Sequence, residues 1–284
     1  MAEFFRFKGS KEGPHLLIFG AIHGNEPCGT AAIGKCMGLL ENGSWQLQAG
    51  TLTVVPVCNP RAFAQKKRFT EENLNRVFCR HDHPKSYEQG LANELTTLVD
   101  DCDYLLDLHS QSSKGRPFVF EDYEDPQTIA FARALGTSII LKGWPEMYAD
   151  RPDLSAGDTT GYAHAVGKIT ALIECGQHED PNGPAVAFTA IENALAHLGM
   201  IDAPKKAANK ISTVVRGRKV YTVPLEGGKF TQDWQHLQDV AKGQELAVSA
   251  AGQAINAPED SVVILPKKWA GPVDEWFYLG TRED

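Results

Sequence analysis

The chain has 284 residues, of which 42% are hydrophobic and 23% charged, proportions typical of a globular protein with ample apolar material for a core. Its formal net charge of −8 argues against a nucleic-acid partner, because binding to phosphates requires a basic surface. No apolar run approaches the roughly 20 residues that a membrane-spanning helix needs. The six cysteines are scattered, without a C-x-x-C pair or a preceding signal peptide, which predicts reduced thiols and a cytoplasmic location.

A polar loop that follows a predicted buried strand carries the first chemically informative residues. The apolar run 16–20 predicts the strand, and the loop after it holds His23 and Glu26. Pro27 suits the first turn of a helix, which we predict at 27–40. An imidazole nitrogen and a carboxylate oxygen are common ligands of catalytic Zn²⁺. The same H-x-x-E spacing also arises by chance, with the histidine simply hydrogen-bonded in its loop.

Strands and helices alternate along the next part of the chain. Runs of apolar and β-branched residues predict strands at 51–57, 104–110, 117–120, 138–143 and 169–176, and apolar spacing predicts helices at 86–100, 125–136 and 184–199. Because strands that alternate with crossovers form mostly parallel sheets, we predict an α/β fold with a mixed, largely parallel sheet flanked by helices. The segment 143–165, rich in Gly, Pro and Asp, is expected to be a long loop, either functional or surface filler.

The character of the sequence changes near residue 203. Residues 203–210 are polar and typical of a linker. Residues 211–284 contain β-rich pieces (STVVRGRKVYTV, SVVILP and EWFYLG) joined by Gly and Pro turns, with little helical periodicity. We therefore predict a first, catalytic domain at 1–202 and a small β-rich domain at 203–284.

Polar residues also mark the ends of later predicted strands. His109 and Glu174 each lie at such an end, and a polar loop, AQKKRFTEENLNRVF, follows the strand 51–57. Since the carboxyl ends of parallel strands meet at one edge of a sheet, we expect these residues to converge with His23 and Glu26. Two histidines and a carboxylate with an open position are typical of a hydrolytic zinc site. A strand-end histidine taken alone is more often structural.

Four segments in this order carry a family resemblance: HGNE at 23–26, NPRAFAQKKRFTEENLNRVF at 59–78, DLHS at 107–110 and IECG at 173–176. Together they resemble the succinylglutamate desuccinylase/aspartoacylase family, which is related to the zinc metallocarboxypeptidases. The resemblance covers roughly residues 14–200, and the β-rich tail is more loosely similar to the family's C-terminal domain. It implies a zinc carboxypeptidase-like catalytic domain followed by a small β-rich domain.

The resemblance also implies a role for the residues of each motif. One Zn²⁺ per chain would be bound by His23, Glu26 and His109. Glu174 would act as general base on the zinc water and then as proton donor to the leaving amine. Arg68 would help to polarise the scissile carbonyl. These roles imply a zinc-dependent amidohydrolase, a hydrolase of linear carbon–nitrogen bonds.

The implied substrate is a small anionic N-acyl amino acid. Asn75 and Arg76 match the pair that holds its α-carboxylate, and the forked guanidinium suits a carboxylate. The acyl group, the amino acid and the acyl-side residues are not determined by the sequence, and Arg151 is a candidate for the acyl side. Tyr278 could reach the site if the C-terminal domain packs over it, but it is more simply interpreted as a strand aromatic. Asp107 is either a partner of the metal-bound histidine or a carboxylate at the edge of the sheet.

Two other functions are compatible with the sequence. A carboxypeptidase acting on short peptides would share the metal, the arginine and the general base, although a small C-terminal domain could roof the cleft and exclude long chains. A metal-binding or carrier protein is suggested by the segment 242–260, which is faintly similar to half of a biotinyl or lipoyl domain. Lys267 and Lys268, between Pro and Trp, do not fit the exposed hairpin of a carrier lysine. Membrane partners are not expected, and a homo-oligomer is left open.

Overall fold

Eleven strands of the described chain form one mixed sheet. The computed structural model describes residues 2–149, 151, 154–155, 157–202, 210–268 and 270–283. The strands are β1 Phe5–Lys8, β2 Lys11–Gly20, β3 Ala49–Val55, β4 Tyr104–Gln111, β5 Phe118–Phe120, β6 Ile139–Lys142, β7 Ile169–Gln177, β8 Thr213–Thr222, β9 Gly228–Phe230, β10 Gln238–Val240, β11 Glu245–Ser249, β12 Ala254–Asn256, β13 Ser261–Ile264 and β14 Glu275–Glu283. The large sheet has the order β1-β3-β2-β4-β7-β5-β6-β8-β14-β13-β10, and β12-β11-β9 form a separate small sheet.

Helices lie on both faces of the central strands. The α-helices of the described residues are α1 Cys28–Glu41, α2 Pro60–Gln65, α3 Tyr87–Asp100, α4 Pro126–Ala134, α5 Trp144–Tyr148, α6 Thr159–Ala165 and α7 Gly183–His197, and a 3₁₀ helix spans Leu74–Arg76. Side chains of α1, α4 and α7 pack in one core, and those of α3 and α6 pack in a second. Within the described ranges, every helix is too short or too polar to cross a bilayer.

The central strands β2, β4 and β7 run parallel and are buried on both faces. Along β2, Leu16 and Ile18 point into the core shared with α1 and α7, whereas Leu17 and Phe19 point into the core shared with α3. Alternation to opposite faces is a property of strand geometry, so a strand covered on both sides needs apolar residues at every position. This explains why continuous apolar runs, rather than alternating ones, marked these strands in the sequence.

Every strand and helix predicted between residues 16 and 200 is present, and the largely parallel sheet is confirmed. Their ends agree within two residues, except that β2 already begins at Lys11. The prediction missed β1, α2 and the 3₁₀ helix, which are too short to give a periodic pattern. The expectation of a long loop at 143–165 was wrong in part, because α5 and α6 lie inside it. The side chain of Asp158 caps α6, a purely local contact.

The β-rich tail continues the large sheet. Strand β8 pairs in parallel with β6, and β14, β13 and β10 follow in antiparallel order. The three β-rich pieces predicted from the sequence correspond to β8, β13 and β14. Trp234, Trp276 and Phe277 belong to a core of its own within this tail. The domain limits 1–202 and 203–284 stay a prediction, and residues 203–209 of the predicted linker lie outside the described residues.

A buried carboxylate on α3 fixes the polar segment that follows α2. Glu88 is fully buried and accepts hydrogen bonds from the backbone N–H and the hydroxyl of Thr70, at 2.8 and 2.7 Å. It also accepts from the backbone N–H groups of Glu71 and Glu72 and from the side-chain amide of Asn59, each at 3.2 Å. Burial alone would raise the pKa of Glu88, but these hydrogen bonds outweigh burial and lower it. A charged group therefore holds residues 70–72 in place.

We expect Glu88→Gln to lower the free energy of unfolding by about 2–4 kcal/mol, because hydrogen bonds to a charged acceptor are worth about 1.5–3 kcal/mol each and an amide replaces only part of them. Urea unfolding followed by circular dichroism measures this, with Glu41→Gln, exposed at the end of α1, as control. The contribution of Glu88 to the free energy of unfolding should be complete above the pKa that its carboxyl group has in the unfolded chain. It should decline as the pH falls through the lowered pKa of the folded state. Equal stability of the two variants at neutral pH would contradict this role.

Candidate active site

The loop after β2 positions His23 and Glu26 against the polar segment that follows α2. A Cβ atom at Gly24 would lie 2.1 Å from the carbonyl carbon of Ala62, so only glycine allows this close approach. The backbone N–H of Gly24 donates to the carbonyl oxygen of Arg68 at 3.2 Å. Two candidate metal ligands and a candidate catalytic arginine are thereby held together by the backbone.

His109 and Glu174 occupy neighbouring positions at the ends of β4 and β7. They are paired in register, so their side chains leave the same face of the sheet. Both are buried, and both line a pocket that His23 and Arg68 also line. The sheet topology thus brings residues that are distant in sequence to one edge.

His23, Glu26 and His109 form a compact cluster of metal-ligand type, with ligand atoms within 4.8 Å of one another. Nδ1 of His23 lies 2.8 Å from one oxygen of Glu26, and Nδ1 of His109 lies 3.0 Å from the other. The other ring nitrogen of His23, Nε2, donates to the side-chain oxygen of Asn73 at 3.0 Å. Nδ1 of His23 therefore carries a lone pair, and it has no hydrogen-bond partner among the described residues. A lone pair that faces a carboxylate is repulsive unless a cation lies between them, so the cluster fits a metal ion.

The charges of the cluster also favour a bound cation. Burial, with a contribution from the Arg68 guanidinium, lowers the pKa of His23 to about 3, so its imidazole is neutral, the form that binds metals. Burial also disfavours a charged His109, but the carboxylates of Asp107 and Glu26 outweigh it and raise the pKa of His109 well above its ordinary value. The site thus favours one positive charge at His109, either a proton or a metal ion that replaces it.

Asp107 contacts the ring of His109 on the side remote from Glu26. Its Oδ2 atom lies 2.9 Å from Nε2 of His109, and the Thr159 hydroxyl donates to the same oxygen. Asp107 is fully buried. Of the two roles predicted for Asp107, the structure therefore favours a partner of His109 over a carboxylate at the edge of the sheet. A carboxylate in this position orients the imidazole and increases its basicity.

Arg68 and Glu174 flank the cluster. The guanidinium of Arg68 donates from Nη1 to Glu26 at 3.0 Å, and about a third of its side chain stays exposed. Glu174 leaves its Oε2 atom without a hydrogen-bond partner among the described residues. Burial and the nearby Glu26 carboxylate raise the pKa of Glu174 to about 8. A carboxyl group with such a pKa can exchange protons near neutral pH.

Asn75 and Arg76 also line the pocket, but the fork of Arg76 is directed to another residue of the chain. Its Nε and Nη2 atoms donate to the two oxygens of Glu275 on β14, at 2.7 and 3.0 Å. Nη2 also donates to the Tyr148 hydroxyl at 2.9 Å, and Nη1 donates to the carbonyl oxygen of Asn75 at 2.7 Å. The side-chain oxygen of Asn75 accepts from the backbone N–H of Thr159 at 3.1 Å, so its amide NH₂ is the group left for a ligand.

The β-rich tail supplies part of the pocket wall. Lys267 lines the pocket, and its ammonium group lies 2.6 Å from Glu275. Arg76 and Lys267 together carry two positive charges against the single negative charge of Glu275, which leaves the group cationic. Tyr278, read from the sequence as a strand aromatic, lines the pocket as well, and its hydroxyl is hydrogen-bonded to that of Tyr148 at 2.8 Å.

Sequence reasoning did not find several residues in or beside the pocket. Gln111 lies two positions beyond His109 on β4 and hence on the same face, a signal that was present in the sequence. Nδ1 of His178 is hydrogen-bonded to the hydroxyl of Ser110 at 2.9 Å. No local pattern marks this pair or Glu275, because tertiary packing alone brings them to the site.

The mixed sheet flanked by helices and the cluster at its strand ends together define an α/β domain with a candidate metal site. The family model of the succinylglutamate desuccinylase/aspartoacylase catalytic domain matches residues 12–198. The chain therefore belongs to the succinylglutamate desuccinylase/aspartoacylase family.

Individual relatives match over shorter stretches. The chain is 34% identical over 90 residues to a succinylglutamate desuccinylase of Vibrio vulnificus, a match that covers 32% of this chain and 26% of that protein. It is 34% identical over 121 residues to the aspartoacylase of Rattus norvegicus, covering 38% of each chain. These matches span well under two thirds of either relative.

Solved structures share the fold over nearly the whole chain. A succinylglutamate desuccinylase/aspartoacylase from Rhodobacter sphaeroides superposes with a TM-score of 0.73 at 21% identity, covering 96% of this chain and 88% of that one. The product-bound ectoine utilization protein EutE from Ruegeria pomeroyi gives a TM-score of 0.76 at 21% identity, covering 98% and 88%. At this level of identity the likeness concerns the fold alone.

We expect His109→Ala to bind a divalent metal at least about 100-fold more weakly, since loss of even an outer partner of a ligand costs 10–100-fold. Elemental analysis after dialysis measures the metal content, and circular dichroism checks that the fold is kept. His83→Ala, which changes an exposed histidine, is the matched control. Full metal occupancy in His109→Ala would show that His109 is not a ligand.

Proposed function

We propose that this protein is a zinc-dependent amidohydrolase that cleaves the amide bond of a small N-acyl amino acid. The cluster of His23, Glu26 and His109 is the single observation that carries this proposal. It lies beside Glu174 and Arg68 in one pocket of a chain that belongs to the succinylglutamate desuccinylase/aspartoacylase family.

The donor set supports zinc as the metal. Two imidazole nitrogens and one carboxylate oxygen are the ligands of catalytic zinc sites, and they leave a coordination position open. His23, Glu26 and His109 would hold one ion per chain, with Asp107 orienting His109. When bound, zinc would supply Lewis acidity and lower the pKa of a water molecule toward neutrality.

Glu174 would move the proton during hydrolysis. Its unpartnered carboxyl oxygen, buried beside the cluster, would take a proton from the attacking water and pass it to the nitrogen of the leaving amine. The products are then a carboxylate and a free amino acid. A bound cation favours the ionised form of a neighbouring carboxyl group, which would bring Glu174 into the form that accepts a proton.

Arg68 would stabilise negative charge on the carbonyl oxygen. Its guanidinium is fixed by Glu26 on one side and lines the pocket on the other. A cation already in place where charge develops lowers the barrier without reorganisation.

Asn75 and Arg76 would hold the substrate's α-carboxylate. The fork of Arg76 is directed to Glu275, so the substrate would be met by the remaining N–H of Arg76 Nη1 and by the amide NH₂ of Asn75. Arg76 and Lys267 together outweigh the charge of Glu275, which supports an anionic ligand at this end of the pocket.

The names of the relatives support the same class of substrate, because a succinylglutamate desuccinylase and an aspartoacylase are both named for acyl amino acids. Leu265, Lys267 and Tyr278 of the tail line the pocket, which favours a small substrate over the long chain of a peptide. We therefore place a carboxypeptidase second. A carrier function has no support from the pocket. A cytoplasmic location, a homo-oligomer and the absence of nucleic-acid and membrane partners stay predictions.

We expect Glu174→Gln to retain zinc and to bind substrate, but to lose activity by about 10²–10⁴-fold, the usual contribution of a general base. Steady-state kinetics with the best N-acetyl-, N-succinyl- or N-formyl-amino acid measure the loss, and Glu41→Gln, exposed at the end of α1, controls for the loss of a carboxylate. A near-normal kcat in Glu174→Gln would exclude this residue as the base.

We expect the enzyme to prefer an N-acyl amino acid strongly over the corresponding C-terminal amide, and Arg76→Ala to lose this preference. Desolvated charge contacts of this kind cost about 2–5 kcal/mol in binding when one partner is removed. Arg76→Lys should also be impaired, because lysine cannot reproduce the guanidinium geometry. The measurement is the ratio of kcat/KM for acid and amide.

Because Arg76 also pairs with Glu275, a structural effect has to be separated from loss of recognition. Glu275 also pairs with Lys267, so the triple variant Arg76→Ala, Lys267→Ala, Glu275→Ala is used to remove all three charges at once. If this triple variant still prefers the acid, or if wild type cleaves the amide equally well, carboxylate recognition by Arg76 is wrong. A neutral-substrate amidase would then be the better interpretation.

A further inference from the structure

Gln111 is a buried carboxamide without an internal role. It ends β4, two residues beyond His109, and only 3% of its surface is exposed. Neither its Oε1 nor its Nε2 atom has a hydrogen-bond partner among the described residues, and its side chain lines the pocket that contains the metal cluster. Leaving a buried amide unpaired costs free energy that an apolar residue of the same size would not cost. The residue is therefore costly to stability unless a ligand completes its hydrogen bonds.

A second buried polar group without a partner, that of His236, lies near Gln111. Its Nε2 atom lies over Gly115, where an added Cβ would be 2.7 Å from that atom and 2.8 Å from Cβ of His236. Nδ1 of His236 accepts from the backbone N–H of Leu265 at 3.2 Å, so the proton is on Nε2. Nε2 of His236 is likewise buried and unpartnered among the described residues. Burial lowers the pKa of His236 to about 3, which keeps this ring a neutral donor.

Gln111 and Arg76 line the same pocket but contact different residues. Arg76 is in contact with Tyr148 and Glu275, whereas Gln111 and His236 adjoin Gly115 and Phe118. The proposed function assigns the amino-acid half of the substrate to Asn75 and Arg76 and the scissile amide to the metal cluster, whose His109 lies two residues before Gln111 on β4. The other half of the substrate, the acyl group, is then left for Gln111.

We propose that Gln111 recognises the acyl group, and that this group ends in an oxygen acceptor, a carboxylate or a carboxamide, rather than in a plain alkyl chain. The amide N–H of Gln111 is the donor for that oxygen. The inference rests on the proposed function, because it uses the hydrolysed amide to divide the substrate into two halves.

Three substrates of equal length that share one amino acid test the proposal: the N-succinyl, N-succinamoyl and N-(4-methylpentanoyl) derivatives. The zinc-loaded wild type should prefer the two oxygen-terminated acyl groups by roughly 10²-fold or more in kcat/KM, because a site built to hydrogen-bond a group rejects analogues that lack it. Gln111→Leu should abolish this preference. Gln111→Glu should keep the succinamoyl substrate but reject the succinyl one, since two carboxylates would then face each other.

The stability of Gln111→Leu distinguishes acyl recognition from a purely structural role of Gln111. Gln111→Leu removes an unpaired buried amide, so its urea midpoint in the absence of substrate should equal or exceed that of wild type. Gln127→Leu, on the exposed first turn of α4, is the control for the effect of replacing a glutamine by leucine outside the pocket. A lower midpoint together with an equal loss of activity on all three substrates would mean that Gln111 only supports the fold, and would overturn the proposal.

Binding of the released acids separates this inference from the proposed function. Titration calorimetry of the zinc-loaded protein with succinate, succinamate and 4-methylpentanoate requires neither turnover nor the amino-acid half. Tighter binding of the first two to wild type, lost in Gln111→Leu, supports acyl recognition even if no N-acyl amino acid is hydrolysed. Equal binding of all three, or a preference that Gln111→Leu retains, overturns it while leaving the hydrolase proposal to stand on its own kinetics.

Discussion

The site depends on the contacts that the buried carboxylate of Glu26 makes. One of its oxygens faces Nδ1 of His23 and accepts from Arg68, while the other faces Nδ1 of His109 and accepts from the backbone N–H of Ser110 at 3.0 Å. Its contacts hold the residues that we propose as metal ligands and oxyanion stabiliser at fixed separations. The Arg68 guanidinium and the backbone N–H of Ser110 donate to this carboxylate, and such hydrogen bonds favour its ionised, negative form. A buried negative charge of this kind requires positive charge around it.

The sheet does the long-range positioning and a second carboxylate does the local positioning. Parallel strands β2, β4 and β7 bring His23, His109 and Glu174 to one edge, since their carboxyl ends coincide. The polar segment that contains Arg68 and Asn75 is held at its end by Leu74 and Phe78, which are buried in the core shared with α3, and at residues 70–72 by hydrogen bonds to Glu88. The parallel strands and the buried carboxylate of Glu88 thus together position the residues of the site.

The elements with long apolar patterns could be predicted from the sequence, and with them the edge at which His109 and Glu174 meet. The short helices α2, α5 and α6 could not, because caps and tertiary contacts, rather than periodicity, define them. The pairing of Arg76 with Glu275 was equally out of reach, since its two partners are 199 positions apart and carry no common pattern. Gln111 could be predicted only in part. The sequence places its side chain on the same face of β4 as His109, but only the structure shows that its amide has no hydrogen-bond partner among the described residues.

The bond between Arg76 and Glu275 has a consequence for the order in which the pocket is assembled during synthesis. His23, Glu26 and His109 lie in the first 109 residues, whereas the partner that orients Arg76 is added only at position 275. Contacts over such separations form late, because the intervening chain must be closed before they contribute. A nascent chain can therefore bring the three proposed metal ligands together well before the part of the pocket around Arg76 is complete.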